Sequence, residues 1–174
     1  MRILNSSLLF VVLLVSGPAS AGGKLLLKIG LTAGSFVAES AAVEGSAQAV
    51  AAGHEAKNVV VKLDTLSSGI ELRDEHLKKK YLETDKHPTA TVNWAKGRDG
   101  KFEGELTMRG QTQKIEGEYS VSGSTLKAEF KTKASGYGIG KISYMGLGVK
   151  DEVGVAVEIP VVADAPAPAA PEKK

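Results

Sequence analysis

The chain has 174 residues, 22 Lys+Arg against 20 Asp+Glu, a net charge of +2 and no cysteine. Charges of both signs are interspersed and only 5% of residues are aromatic, which argues against a basic nucleic-acid face or a platform of stacked rings. Without cysteine there is no disulfide framework and no lipidation site for a lipoprotein anchor.

The chain opens as an export signal. Arg2 supplies the positive start, Leu8 to Val15 (LLFVVLLV) a short apolar run, Ser16-Gly17-Pro18 a break, and Ala19-Ser20-Ala21 a small-residue cleavage site. The apolar run is too short to span ~30 Å of hydrocarbon, so residues 1–21 are expected to be removed. Loss of Arg2 takes the net charge from +2 to +1, and roughly 150 residues remain, a single-domain length able to bury a core without staples.

Period-two alternation, the mark of a half-buried strand, then dominates. Leu25, Leu27, Ile29 and Leu31 share one face; Phe36 pairs with Ala38; Val43, Gly45, Ala47 and Ala49 form an Ala- and Gly-rich side. A turn is expected at Gly53–His54, and Val59, Val61 and Leu63 then alternate with Val60, Lys62 and Asp64.

The period changes after Ser67-Ser68-Gly69. Ser68 and Glu71 have the spacing of a capping box, and Ile70, Leu77 and Tyr81 recur at helical spacing. Lys78, Lys79 and Lys80 crowd the last turn, where positive charge suits the helix dipole. Pro88 disfavours helix at His87.

Alternation resumes with Ala90, Val92 and Trp94 on one face. Asp99-Gly100 predicts a tight hairpin. Phe102, Gly104, Leu106 and Met108 follow, then a turn at Gly110-Gln111-Thr112. Next come Ile115, Gly117, Tyr119 and Val121, a turn at Ser122-Gly123-Ser124, and Leu126, Ala128, Phe130 and Thr132. A Gly-rich connection leads to Val153, Val155, Val157 and Ile159. Residues 163–174, alternating Ala and Pro before Glu172-Lys173-Lys174, read as an extended, unpacked tail.

Eight or nine strands with short turns and one helix predict a closed barrel or a sandwich occupying residues 22–162. An eight-stranded barrel is filled by its own side chains or holds one small ligand. The small inward residues Ala38, Ala47, Ala49, Gly104, Gly117 and Ala128 either leave room for a ligand or mark bends and close packing.

No catalytic constellation is present. His54, His76 and His87 are scattered; His76 with Asp74 or Asp85 lacks any metal-site or protease spacing. Ser67 and Ser68 read as cap and turn residues. The expectation is a protein that is not an enzyme and carries no metal.

Three segments resemble the YceI family of exported proteins. Ser67-Ser68-Gly69-Ile70-Glu71-Leu72-Arg73-Asp74-Glu75-His76-Leu77, Tyr81-Leu82 and His87-Pro88-Thr89-Ala90-Thr91-Val92 are similar to its helix motif. Leu106-Thr107-Met108-Arg109-Gly110-Gln111-Thr112-Gln113 is similar to its hairpin, with Arg109 where His is usual. Gly136-Tyr137-Gly138-Ile139 and Gly148-Val149-Lys150-Asp151-Glu152-Val153 resemble its closing segment. The resemblance is weakest over Lys24–Lys57, which is shorter and more Ala-rich than usual.

This resemblance implies an all-β fold with one short helix: an extended lipocalin-like antiparallel eight-stranded β-barrel. It also implies a periplasmic location and an apolar tunnel for an amphipathic lipid, a polyisoprenoid such as a quinone or its precursor, and no other cofactor. The expected tunnel wall is Phe36, Val59, Val61, Leu63, Leu77, Tyr81, Val92, Trp94, Phe102, Leu106, Met108, Ile115, Tyr119, Phe130, Val155 and Val157. Arg73 and Asp74 either lock the helix to the barrel or meet a ligand headgroup. Lys78 to Lys80 could touch an anionic membrane. The rival reading is a filled barrel acting as a protein-interaction or stress-protective module.

Overall fold

The alternating segments form β1 (Gly23–Leu31), β2 (Ser35–Glu44), β3 (Ala47–Val50), β4 (Gly53–Lys62), β5 (Thr89–Arg98), β6 (Lys101–Met108), β7 (Gln111–Ser122), β8 (Thr125–Lys133), β9 (Ser143–Tyr144) and β10 (Leu147–Val162). The computed structural model describes residues 22–144 and 146–163. The expected leader and, beyond Ala163, the Ala/Pro tail lie outside the described residues.

Eight strands pair antiparallel in the order β1-β2-β4-β5-β6-β7-β8-β10, and β10 returns to β1. The sheet is therefore a closed barrel, which leaves its long strands no open edge. The short β3 continues β2 past Gly45 (φ +124). It pairs antiparallel with β4 and parallel with the end of β10, Ala47 opposite Val161. It thus completes the wall beside β10 beyond the start of β1, whose first partner on β10 is Glu158.

The hairpins follow local chemistry. Asp99 and Gly100 both adopt positive φ, the mirror-image turn that matches strand twist. Arg109 and Gly110 do the same (φ 50 and 72), so the turn falls one residue before the expected Gly110–Thr112. Residues 51 and 52 turn the chain before β4, and Gly53 and His54, expected in that turn, already pair in β4.

Alternation identifies the inner face along most of the barrel: Leu25, Ile29, Ala38, Val43, Val59, Leu106, Ile115, Leu126, Phe130 and Ile159 are all buried. One strand departs. In β5 the register slips between Val92 and Trp94, Val92 facing Leu106 and Trp94 facing Glu105. A one-residue bulge reverses every later side chain. Trp94, expected inward, shares the outer face with its partners Lys57 and Glu105, and Ala95 turns in instead. Asn58, at the same level of β4, has φ 53.

The helix differs most from its sequence reading. Ser67 remains in an extended bridge, exchanging backbone hydrogen bonds of 2.8 and 2.9 Å with Glu39 of β2, and the chain bends only at Gly69 (φ 78). Helix α1 (Glu71–Glu75) therefore starts after an extended Ile70 (φ −126), with no side-chain cap. Glu71 is its first residue rather than its third, so the expected Ser68/Glu71 capping box does not form. Ile70 is 48% exposed and drops out of the apolar stripe. From His76 to Leu82 the helix widens to the π form. Leu77 and Tyr81 pack against the core and Leu82 is buried beside them.

Candidate functional site

The barrel interior is not filled. A cavity of about 150 Å³ occupies the end covered by the helix. Its wall is made by residues of β1, β2, β4, β5, β6, β8 and β10, by Leu77, Tyr81 and Leu82 of the helix itself, and by Tyr137, Ile139 and Ile142 of the connection before β10. Only Arg73, His76 and Thr132, with the hydroxyls of two tyrosines, bring polar chemistry to that wall. The Tyr137 hydroxyl is shared with Thr132 Oγ1 at 3.1 Å, and burial pushes it above the ordinary tyrosine range. A cavity of this order lined by Leu, Ile and Phe stays dry and admits an apolar molecule.

A second, smaller cavity of about 60 Å³ lies toward the opposite end of the barrel. Ala47, Ala56, Ala95 and Ala128 line it, with Val59, Phe102, Ile115, Leu126 and Tyr119. Val92, Phe130 and Val157 belong to both linings and form the waist between them.

Of the residues expected in the tunnel wall, Phe36, Val61, Leu63, Leu77, Tyr81, Leu106, Met108 and Val155 line the larger cavity. Val59, Phe102, Ile115 and Tyr119 line the smaller, and Val92, Phe130 and Val157 line both. Trp94 lines neither, for the bulge described above.

The small residues divide in a way alternation could not show. Ala47 and Ala128 make room, as they line the smaller cavity. Gly104 and Gly117 do not. A Cβ on Gly104 would lie 2.4 Å from the Trp94 carbonyl oxygen, and one on Gly117 2.1 Å from that of Glu129. Both are sites of close strand approach. Gly117 also leaves space for the edge-to-face rings of Phe102 and Phe130, whose centroids lie 5.9 Å apart.

Arg73 and Asp74 organise the entrance together. The Asp74 carboxylate accepts from the Ser68 amide (2.7 Å), from Ser67 Oγ (2.8 Å) and from the Ser68 hydroxyl. Burial opposes its ionisation, but the bonds from Ser68 and Ser67, with Lys78 nearby, hold its pKa below the usual carboxylate range. Arg73 Nε donates to Ser68 Oγ at 2.7 Å and Nη2 to Ser68 O at 2.8 Å. Its guanidinium carbon lies 4.2 Å from the centroid of the Phe36 ring, a cation–π contact. Arg73 therefore ties helix to barrel and also lines the larger cavity; Asp74 does not line it. Across the mouth, the Tyr81 hydroxyl donates to the Ser143 carbonyl at 2.7 Å.

The expected wall lacks Leu25, Leu27, Ile29 and Val153, which alternation assigns to strands only, and also Leu82, Tyr137, Ile139, Ile142 and Val149. The π geometry brings Tyr81 and Leu82 in side by side, which no 3.6-residue count predicts. Tyr137, Ile139 and Ile142 sit in a connection without period. Tyr137 is completely buried. Among the described residues no group of three or more His, Asp or Glu could hold a metal.

A closed antiparallel barrel with apolar cavities and a helix over its end defines a barrel of the lipocalin-like class. The chain belongs to the YceI family: the YceI-like domain model matches residues 22–161. No curated protein sequence matches the chain. Solved structures share the fold. Burkholderia cenocepacia BcnA superposes with a TM-score of 0.63 at 14% identity, over 78% of this chain and 94% of that one. A polyisoprenoid binding domain from Saccharophagus degradans, implicated in plant cell wall breakdown, gives 0.60 at 16% identity over 80% and 93%. The Campylobacter jejuni YCEI protein gives 0.54 at 17% over 68% and 79%.

Proposed function

We propose that this protein is an exported, non-enzymatic carrier that sequesters a polyisoprenoid or similar amphipathic lipid inside its barrel. The observation that carries this reading is the larger cavity, whose walls are apolar apart from Arg73, His76, Thr132 and two tyrosine hydroxyls. Burying one methylene stabilises by ~0.8 kcal/mol, so a prenyl chain of several units needs such a sheath to cross water. The polyisoprenoid-binding domain of Saccharophagus degradans, which shares the fold, supports this ligand class. The family membership supports a periplasmic setting, together with the leader-like residues 1–21. Exposed Ile70, just before the helix, and Leu72 on it, with Lys78 to Lys80 further along the same segment, support loading from a membrane surface. The filled-barrel alternative has no comparable observation in its favour.

The test is organic extraction and mass spectrometry of protein purified from its own compartment. A polyprenyl lipid at near-stoichiometric amount is expected, on mature protein starting at Gly22. Protein that carries no lipid, and gains none when offered polyprenyl alcohols, would sink the carrier reading.

A further inference from the structure

The two cavities are stacked along one lumen, and the residues they share are Val92, Phe130 and Val157. We infer that Phe130 is the floor of the lipid site and sets the length of chain that the barrel accepts, the Ala-lined chamber beneath it being out of the chain's reach while the ring is in place. The inference rests on the carrier reading above.

Three features support it. Phe130 is the only large aromatic side chain among the waist residues, the other two being valines. Its ring is held in place, edge to face with Phe102 over the gap left by Gly117. Below it the same strand continues inward with Ala128, and β4 and β5, on the other side of the barrel, supply the cross-strand pair Ala56 and Ala95. Small side chains thus follow directly beneath a large one. At the far end Tyr119 stands across the lumen, its hydroxyl 3.4 Å from His54 Nδ1. The chamber between Phe130 and Tyr119 is lined by no residue of the helix, and its lining is apolar except for His54, Glu55 and the Tyr119 hydroxyl, which His54 Nδ1 faces at 3.4 Å.

The experiment is calorimetric titration of delipidated, full-length protein with linear prenyl alcohols: geraniol, farnesol, geranylgeraniol and a longer polyprenol. Wild type should gain affinity with each unit up to a plateau. Phe130→Ala should move that plateau to a longer alcohol, raising the affinity ratio of long to short alcohol at least about tenfold, the worth of fewer than two buried methylenes. Ala128→Leu, which fills the lower chamber, should leave the wild-type plateau in place and cancel the gain in the double variant. Phe130→Leu, which keeps an apolar group at the waist, gives the same reading at smaller amplitude if the alanine variant does not fold.

An unchanged plateau in both Phe130 variants would overturn the inference. So would a gain that survives in the double variant, or an Ala128→Leu protein with a shortened plateau. These outcomes leave the carrier reading intact. Wild-type protein that binds none of the alcohols would overturn the carrier reading as well.

Discussion

Gly117 has no room for a side chain, because a Cβ there would meet the Glu129 carbonyl oxygen at 2.1 Å and the Phe130 Cβ at 2.8 Å. The first neighbour is backbone of the paired strand and cannot swing away. Gly117→Ala should therefore destabilise the fold by about 1–3 kcal/mol, the usual cost of overpacking, read as a lower urea midpoint at unchanged slope. A wild-type midpoint would show that β7 and β8 can separate at this level. With backbone this close, neither Gly104 nor Gly117 can carry a ring that plugs the lumen: such variants would fail in folding before they reported on binding. Arg73 is a residue of the opposite kind. It bonds Ser68 twice and lies over Phe36, contacts that depend on its planar fork and that lysine does not reproduce.

The end of the helix is held by a charged strap. Glu83 closes the π segment in the left-handed conformation (φ 48). It pairs with Lys86 at 2.8 Å and with Arg109 of the β6–β7 turn. Arg109 in turn donates to the Tyr137 carbonyl at 3.3 Å. One ion pair thus joins the helix, a hairpin and the connection that roofs the cavity. The bonds from Lys86, then Arg109, lower the Glu83 pKa from 4.5 to about 2. A carboxylate whose folded pKa lies below its unfolded value binds fewer protons in the native state. Its contribution is complete above pH 4.5 and is lost as the pH falls through about 2. The stability gap between wild type and Glu83→Gln, measured by urea unfolding across that window, should be constant above it and close toward its lower end. A gap that stays open at the acid end would mean that the strap acts by shape rather than by charge.

The whole molecule is a barrel that closes around unfilled space, so its stability should depend on what fills the lumen. A ligand that binds only the folded barrel, present at a hundred times its Kd, adds about 2.7 kcal/mol. Delipidated protein should therefore melt several degrees lower than protein saturated with a prenyl alcohol, as followed by circular dichroism. Identical melting curves, under conditions where calorimetry shows binding, would mean that the unfolded chain binds the alcohol equally well.

Much of this architecture is written in the chain. Alternation along Leu25–Ile29, Phe102–Met108 and Leu126–Phe130 specifies strands and their buried faces, because period two leaves one face for the core. Asp99-Gly100 specifies a hairpin through local backbone preference. Fifteen of the sixteen residues expected in the tunnel wall do line a cavity. The exception, Trp94, fails because a bulge depends on how β5 meets β6, and no residue of β5 announces it. The cap at Ser68 fails for a related reason. Pairing of Ser67 with Glu39, distant in sequence, holds the chain against β2 just before the position where a capping box would have started the helix, which begins at Glu71 instead. Whether a small residue makes space or closes it was likewise decided by its cross-strand neighbour: at Ala128 the lumen, at Gly117 a carbonyl oxygen. The local sequence determined which segments are strands and which face is apolar. The closure of those strands on one another, which alone places distant backbone atoms in contact, decided where the lumen is open, where it narrows at Phe130, and what roofs it.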